Sequence, residues 1–331
     1  MTTKVKLKES TQELLRCPIC QSKLVLEEDH FQCTNDQCQA NFPIVDGVPI
    51  LINESSSIFS ISDFLEYKST TFNLNTKSKI TRFLINLVPK FYLNIKTTKN
   101  YENFTELLLK ENDNPQVLVL GGGILGQGME SLSSAPSIDL IGSDVSFGSG
   151  TELICDAHDL PFEDSSLDGV VAQAVLEHVV DPHKCVAEIH RVLKDNGLVY
   201  AETPFMQQVH MGRYDFTRFT HLGHRRLFRK FEEISSGATN GSGLALAWSY
   251  QYFLLSFVKS KFAQALVIAF ARFTSFWLKY LDYYLIDKPG IFDSASGYYF
   301  MGKKSDQVLS DRELIKLYKG IRGGISPDYS R

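Results

Sequence analysis

The stretch Val117-Leu-Val-Leu-Gly-Gly-Gly-Ile-Leu-Gly-Gln-Gly128 decides how this chain folds. Its first four residues form an unbroken apolar run, the pattern of a strand buried on both faces of a parallel sheet. Gly121, Gly122 and Gly123 follow directly. A glycine-rich turn after a buried strand lets the backbone approach a ligand closely, and the next helix is expected to start there. A second apolar run, Ile138–Ser143, ends in Asp144. An acidic residue about twenty positions past the glycines is placed to accept hydrogen bonds from both hydroxyls of a ribose. No G-K-[ST] follows the glycines, so nothing asks for a P-loop.

Further on, Leu153-Ile-Cys-Asp-Ala-His-Asp-Leu-Pro-Phe162 precedes Ser166-Leu-Asp-Gly-Val-Val171 and Val175-Leu-Glu-His-Val179. Val186–Leu193, Asp195-Asn-Gly197 and Leu198-Val-Tyr-Ala-Glu-Thr203 complete the block. It reads as strand, loop, strand, helix, turn, strand, which predicts a doubly wound, mostly parallel α/β sheet. Ligands of such sheets bind at the carboxyl ends of the strands, which favours Asp144 and Asp156 over Asp168, a residue at the start of its strand.

The run from Val117 to Pro204 closely resembles the class I S-adenosylmethionine-dependent methyltransferases of the type 11 group. The stretches DAHDLPFEDSSLDGVV, VLEHVVDP and EIHRVLKDNGLVYAETP carry the likeness in combination. The resemblance implies a seven-stranded Rossmann-like sheet and a methyl donor at the first strand–loop–helix turn. Gly121 and Gly123, with Gly122 between them, would bound the methionine part, and Asp144 would hold the ribose. Asp156 and Ala157 would meet the adenine, and Gln173 and Ala174 would line the methyl-transfer face. Two departures stand out. Val119 occupies a position that is usually acidic in the family, which leaves the cofactor's ammonium without an assigned holder. Only about a dozen residues separate Asp144 from Asp156, too few for an ordinary crossover helix, so the short loop Ser146-Phe-Gly-Ser-Gly150 must serve.

Cys17-Pro-Ile-Cys20 and Cys33-Thr-Asn-Asp-Gln-Cys38 form two tight pairs. Four thiolates in tetrahedral geometry suit Zn²⁺ and leave no open coordination position, so Cys17, Cys20, Cys33 and Cys38 are expected to hold a structural ion. So short a segment has almost no core of its own, and the metal would supply much of its folding energy. Leu14 to Ile52 resembles the small zinc-ribbon domains that accompany many methyltransferases. In its tail, Asp46-Gly47 reads as a hairpin turn between short apolar strands.

The expected organisation is a zinc ribbon over 1–55, a linker and helical lead-in over 56–110, and the methyltransferase domain over 111–331. The linker is the serine-rich NESSSIFS, and helical apolar spacing marks Ile80–Val88 and Phe104–Leu109. After the fifth strand, residues 204–226 are dense in His, Arg, Tyr and Asp at the carboxyl end of the sheet. Methyl transfer to a hydroxyl or amine needs an in-line acceptor and a group to take its proton. His210 is the first candidate for that group, with His221 and Asp215 beside it, while Asp215 and Arg218 also read as a simple ion pair.

Phe231–Ser235 and Gly297–Lys303 are expected as the last two strands, with an apolar helical insertion, about 244–292, between them. Lys259, Lys261, Arg272 and Lys279 interrupt it, which makes a poor transmembrane span. At helical period Lys261, Gln264, Arg272, Ser275 and Lys279 share one face, and Phe262, Leu266, Val267, Phe270, Phe273, Phe276, Trp277 and Tyr280 the other. Such a stripe fits a helix packed by the apolar face on its own domain or in a dimer. It also fits peripheral membrane contact through 244–286 on anionic lipid.

The chain has 331 residues, a formal net charge of −4, and no apolar core after its N-terminal lysines. These features exclude an overall basic nucleic-acid binder and lead us to expect a cytoplasmic protein, peripheral at most to the inner face of the membrane. The expected function is methyl transfer from S-adenosylmethionine to a small-molecule, glycan or lipid-linked acceptor. An rRNA or tRNA methyltransferase and a non-catalytic zinc-ribbon scaffold are the alternatives. The acidic balance and the lack of a basic aromatic run argue against a nucleic-acid partner.

Overall fold

The computed structural model describes residues 4–66, 88–91 and 93–321. The helical spacing at Ile80–Leu87 lies outside them. Helix α1 (Glu9–Glu13) leads into the ribbon, whose strands are β1 (Leu24–Leu26), β2 (His30–Cys33), β3 (Asn41–Val45) and β4 (Val48–Leu51). Each pairs antiparallel with the next, and Asp46 and Gly47 turn the last hairpin at φ 52° and 79°.

Helix α2 (Ile61–Glu66) and helix α3 (Thr97–Glu111) precede β5 (Gln116–Leu120). Then come α4 (Glu130–Ser133), β6 (Asp139–Asp144), β7 (Leu153–Cys155), β8 (Leu167–Gln173), α5 (Pro182–Val192) and β9 (Leu193–Pro204). Asp181 caps α5 by accepting from the amides of His183 and Lys184, with Pro182 at the first helical position. Helix α6 (His221–Leu227) and β10 (Phe231–Asn240) lead to the insertion, α7 (Ser242–Leu255), α8 (Lys261–Ser275), α9 (Leu278–Leu285) and α10 (Ile291–Ser294). The chain returns through β11 (Gly297–Lys304).

The strand order is β1-β2-β3-β4-β7-β6-β5-β8-β9-β11-β10. The seven strands from β5 to β11 are those expected, parallel except for β11, which runs antiparallel to both neighbours. The whole sheet has eleven strands rather than seven, because the ribbon continues it. β4 pairs parallel with β7, Ile50 beside Ile154 and Leu51 beside Cys155. Residues of β5 alternate between two cores, as the period of a strand requires. Leu118 and Leu120 pack toward Val186 and Ile189 of α5, whereas Val117 and Val119 pack toward Tyr101, Phe104 and Leu108 of α3.

One expectation fails at the glycine turn. No helix starts there: residues 121–129 stay in turns and bends, and α4 is a single turn. Each glycine costs a helix about 1 kcal/mol, and five occupy this short stretch. The crossover from β6 to β7 has no helix either, as its length requires. Its loop lies directly on the glycine turn, and a Cβ on Gly148 would stand 2.1 Å from the Gly123 carbonyl.

Candidate active site

In the ribbon, the four cysteine Sγ atoms all lie within 4.8 Å of one another. Cys17 and Cys38 Sγ are 3.8 Å apart, and Cys20 and Cys33 Sγ 3.4 Å. Thiolates about 2.3 Å from a tetrahedral ion stand about 3.8 Å apart, so the set fits Zn²⁺. Left-handed Gln21 and Gln39, each just after a cysteine pair, turn the chain back at φ 62° and 49°.

At the carboxyl ends of β5, β6, β7 and β8 a cleft of about 840 Å³, its mouth included, opens in the sheet. Gly121, Asp144, Asp156, Ala157 and Ala174 line it. Gly121 has φ 68°, and a Cβ there would meet Val175 Cγ2 at 2.8 Å, so only glycine keeps the turn clear. Gly122 and Gly123 do not line the cleft. Gly122 N–H donates to the Ser143 carbonyl at 2.8 Å, and Gly123 N–H to Asp144 Oδ2 at 3.0 Å. They fasten the turn to β6. Burial pushes the Asp144 carboxyl up, against the backbone amides that hold it down.

Asp156 already accepts from the His158 amide at 3.0 Å, from His158 Nδ1 at 2.5 Å and from Ser57 Oγ at 2.5 Å. Ser57 belongs to the serine-rich segment leaving the ribbon, and Ile58 and Phe59 from that segment roof the cleft. Gln173 lies outside the cleft. It accepts from Tyr101 OH at 3.2 Å and donates to Glu202 Oε2 at 3.0 Å. Glu202 is half-buried and also accepts from Thr97 Oγ1 at 2.6 Å and from Tyr200 OH. Burial raises its pKa. No carboxylate stands at Val119, which is buried against α3.

Ala174 is shared with a second cavity of about 430 Å³, lined also by Glu177, Glu202 and His210. His210 Nδ1 lies 3.3 Å from Asp215 Oδ2, and burial lowers its pKa. Asp215 is gripped by both terminal nitrogens of Arg218 and by the His210 amide, and Arg218 holds it down at about 2. It is therefore a group that orients His210, not one that takes a proton near neutrality. His221 is in neither cavity. It is buried between Phe292 and Tyr298, with Nε2 3.3 Å from Ser236 Oγ. Of the three expected proton-handling residues, only His210 and Asp215 are brought together.

Sequence reasoning missed Glu177 and His178. Glu177 is fully buried, and both carboxylate oxygens lack a partner among the described residues. Burial pushes its pKa up to about 8. His178 Nε2 is 3.6 Å from Glu177 Oε1, and its ring meets that of His210 edge to face at 4.7 Å. The available signal was a Glu-His pair inside an otherwise apolar run.

A sheet of this order, with a glycine turn at its switch point and an acidic end on the second strand, is the arrangement of S-adenosylmethionine-dependent methyltransferases, and the family comparison agrees with it. Residues 126–201 match the family model described as a methyltransferase domain, type 11. Over 51 residues the chain is 39% identical to a UPF0434 protein of Alteromonas mediterranea, covering 15% of this chain and 80% of that protein. The chain carries a type 11 methyltransferase domain and a UPF0434-type segment with the four-cysteine cluster, so its cofactors are S-adenosylmethionine and a structural Zn²⁺. Among solved structures, it is similar to a chain of the complex between the Haloferax volcanii Trm112 methyltransferase activator and a methyltransferase. That match has 18% identity, covers 63% of this chain and 93% of that one, and has a TM-score of 0.36. Phosphoethanolamine N-methyltransferase 2 of Haemonchus contortus matches at 17% identity, 62% and 53% coverage and a TM-score of 0.37. A SAM-dependent methyltransferase of Methanosarcina mazei matches at 16%, 59% and 94%, and 0.34.

Proposed function

We propose that this enzyme methylates a polar acceptor carried on a lipid, working at the surface of an anionic membrane. One observation carries the reading: the insertion beside the acceptor loop is packed inside out. On α8 and α9 the polar stripe beyond Lys261 faces the protein, and the apolar stripe faces away except at Val267 and Phe276, which are half-buried. Lys279 and Asp282 are 8% and 1% exposed, against 76% for Phe262 and 73% for Tyr284. Lys279 Nζ donates to the Lys90 carbonyl, Arg272 Nε to Gln251 Oε1, and Asp282 accepts from the amides of Gly243 and Leu244 at the start of α7. The expectation that the apolar face packs on the domain is thereby reversed. A soluble domain seldom exposes so continuous an apolar surface without a partner.

Charge selects the partner. No Asp or Glu occurs between Ser242 and Leu281, and Lys259 and Lys261 are exposed at the start of α8. No described helix is long and apolar enough to cross a membrane. An aromatic face edged with lysines, lying flat, fits an anionic lipid surface. α7 also touches the acceptor loop, with Tyr252 OH donating to the Val209 carbonyl and Gln208 Nε2 to Ser249 Oγ.

In this reading Asp144 holds the ribose, and Asp156 and Ala157 face the adenine. Gly121, stiffened by Gly122 and Gly123, borders the methionine, and Ala174, backed by Gln173, forms the wall between donor and acceptor. S-adenosylmethionine supplies a methyl carbon on a sulfonium, open to in-line attack. The chain's task is to hold the acceptor in line from the second cavity, where its proton is lost beside the Glu177–His178–His210 group. The test is flotation with vesicles of phosphatidylglycerol and phosphatidylcholine, together with transfer of labelled methyl to lipid extracts. Binding to the anionic vesicles and label in the lipid phase are expected. A protein that stays with the aqueous phase and labels only water-soluble acceptors sinks the proposal.

A further inference from the structure

Three ligand-type side chains converge on the wall between the two cavities. Glu177 Oε1 lies 3.6 Å from His178 Nε2 and 3.9 Å from His210 Nε2, and one ligand atom from each of the three residues lies within 4.8 Å of the others. Two ligands about 2.1 Å from a tetrahedral ion stand about 3.4 Å apart, so only a small contraction is needed.

Each histidine is already aimed. His178 Nδ1 is 2.7 Å from the Tyr214 carbonyl, which can only accept, so the hydrogen sits on Nδ1. His210 Nδ1 faces the Asp215 carboxylate, which Arg218 fixes in place. Both Nε2 atoms are thereby left as lone pairs. A hydrogen-bond acceptor on the far nitrogen is how proteins orient imidazoles that bind metal. The third member is Glu177, whose two oxygens are buried and without a partner among the described residues. An uncompensated carboxylate in such a place costs several kcal/mol, and a cation would offset that cost. Glu202 lines the same cavity and adds a second carboxylate, half-buried and hydrogen-bonded to Thr97, Tyr200 and Gln173. The nearby guanidinium, Arg218, is committed to Asp215 and to the Gln207 and Gln208 carbonyls.

We propose that Glu177, His178 and His210 bind a divalent transition-metal ion of the Zn²⁺ class, separate from the ribbon's ion, with its open coordination positions toward the second cavity. Two imidazoles and one carboxylate are a donor set suited to zinc or ferrous iron. What the ion does rests on the acceptor reading above. It would lower the pKa of an acceptor hydroxyl held there. The hydroxyl proton leaves to water, the oxygen–methyl bond forms, the methyl–sulfonium bond breaks, and its electron pair stays on sulfur.

The test uses the full chain with one equivalent of Zn²⁺ on the ribbon, titrated with Co²⁺ without any acceptor. One further equivalent is expected, giving visible d–d absorption without the thiolate charge-transfer band that marks a four-cysteine site. In Glu177→Gln and in His210→Ala its affinity should fall at least tenfold while ribbon zinc is unchanged. His210 is partly exposed, so its variant carries the test if the buried one fails to fold. A wild-type chain that takes up no second equivalent overturns the proposal, as does a second equivalent held equally well by both variants. With no acceptor present, the readout is independent of whether the lipid-linked substrate is right.

Discussion

Leu51, in the last strand of the zinc ribbon, pairs with Cys155 in a parallel ladder, immediately before Asp156 and Ala157 of the cofactor cleft. The ribbon is thus an edge of the sheet that forms the cleft. Ser57 reinforces the join by donating to Asp156 from the segment that follows.

Zinc removal should therefore weaken cofactor binding although no cysteine of the ribbon lines the cleft. Without the ion, β1 to β4 have little core to hold them, and β7 loses its neighbour. We expect chelation to lower S-adenosylmethionine affinity at least about tenfold, roughly 1.4 kcal/mol, and zinc to restore it. Calorimetric titration before chelation, after it and after readdition checks this. Equal affinity in the zinc-free protein would show that the ladder is incidental.

Asp144→Asn should weaken the cofactor by about 10- to 100-fold, since hydrogen bonds to a charged acceptor contribute about 1.5–3 kcal/mol. The amide still accepts through one oxygen, so the bond from the Gly123 amide survives and the fold should hold. Titration with S-adenosylmethionine, with thermal melting as the control for folding, separates the two effects. An unchanged dissociation constant would remove Asp144 from the ribose site.

Acid should destabilise the protein through two buried histidines that line neither cavity. Burial lowers His221 to about 4 and His224 to about 3, from an ordinary value near 6.5. Lys319 and Arg225 lower His221 further and Glu233 raises it, while His221 lowers His224. Between pH 6.5 and 4 the unfolded chain binds protons at both residues and the native chain does not. Stability is therefore full above pH 6.5 and falls as pH drops, by about 1.4 kcal/mol per pH unit for each histidine. His224→Phe should flatten the decline by one such share, measured as urea midpoints across that range. Parallel profiles in the two proteins would assign the acid sensitivity elsewhere.

The central α/β block was legible because its signals are local: an apolar run, glycines, then an acidic strand end at Leu120, Gly121 and Asp144. The four-cysteine spacing was equally local. The pairing of β4 with β7 was not, because Ile50 and Ile154 lie about a hundred residues apart and nothing in either strand names its partner. The stripe on α8 identified which residues share a face. It did not say which face turns inward, since that depends on Lys90, Gln251 and Gly243 waiting opposite. Glu177 was hidden for a related reason: a carboxylate in an apolar run reads as a solvated strand end until its burial is known.

The inside-out insertion gives the sharpest quantitative expectation. Lys259 and Lys261 should each contribute about 1 kcal/mol to binding at an anionic surface, so reversing either charge should cost fivefold or more, and less as salt rises. Phe262→Ser acts on a different quantity, the transfer of a ring from water, about 1.5–3 kcal/mol, and its effect should persist in high salt. All three substitutions fall on exposed residues, so melting temperature and cofactor affinity should stay put. Vesicle partitioning of the three variants across a salt series therefore separates the charge contribution from the apolar one. If Phe262→Ser partitions like the parent at every salt concentration, the aromatic face is not what meets the lipid.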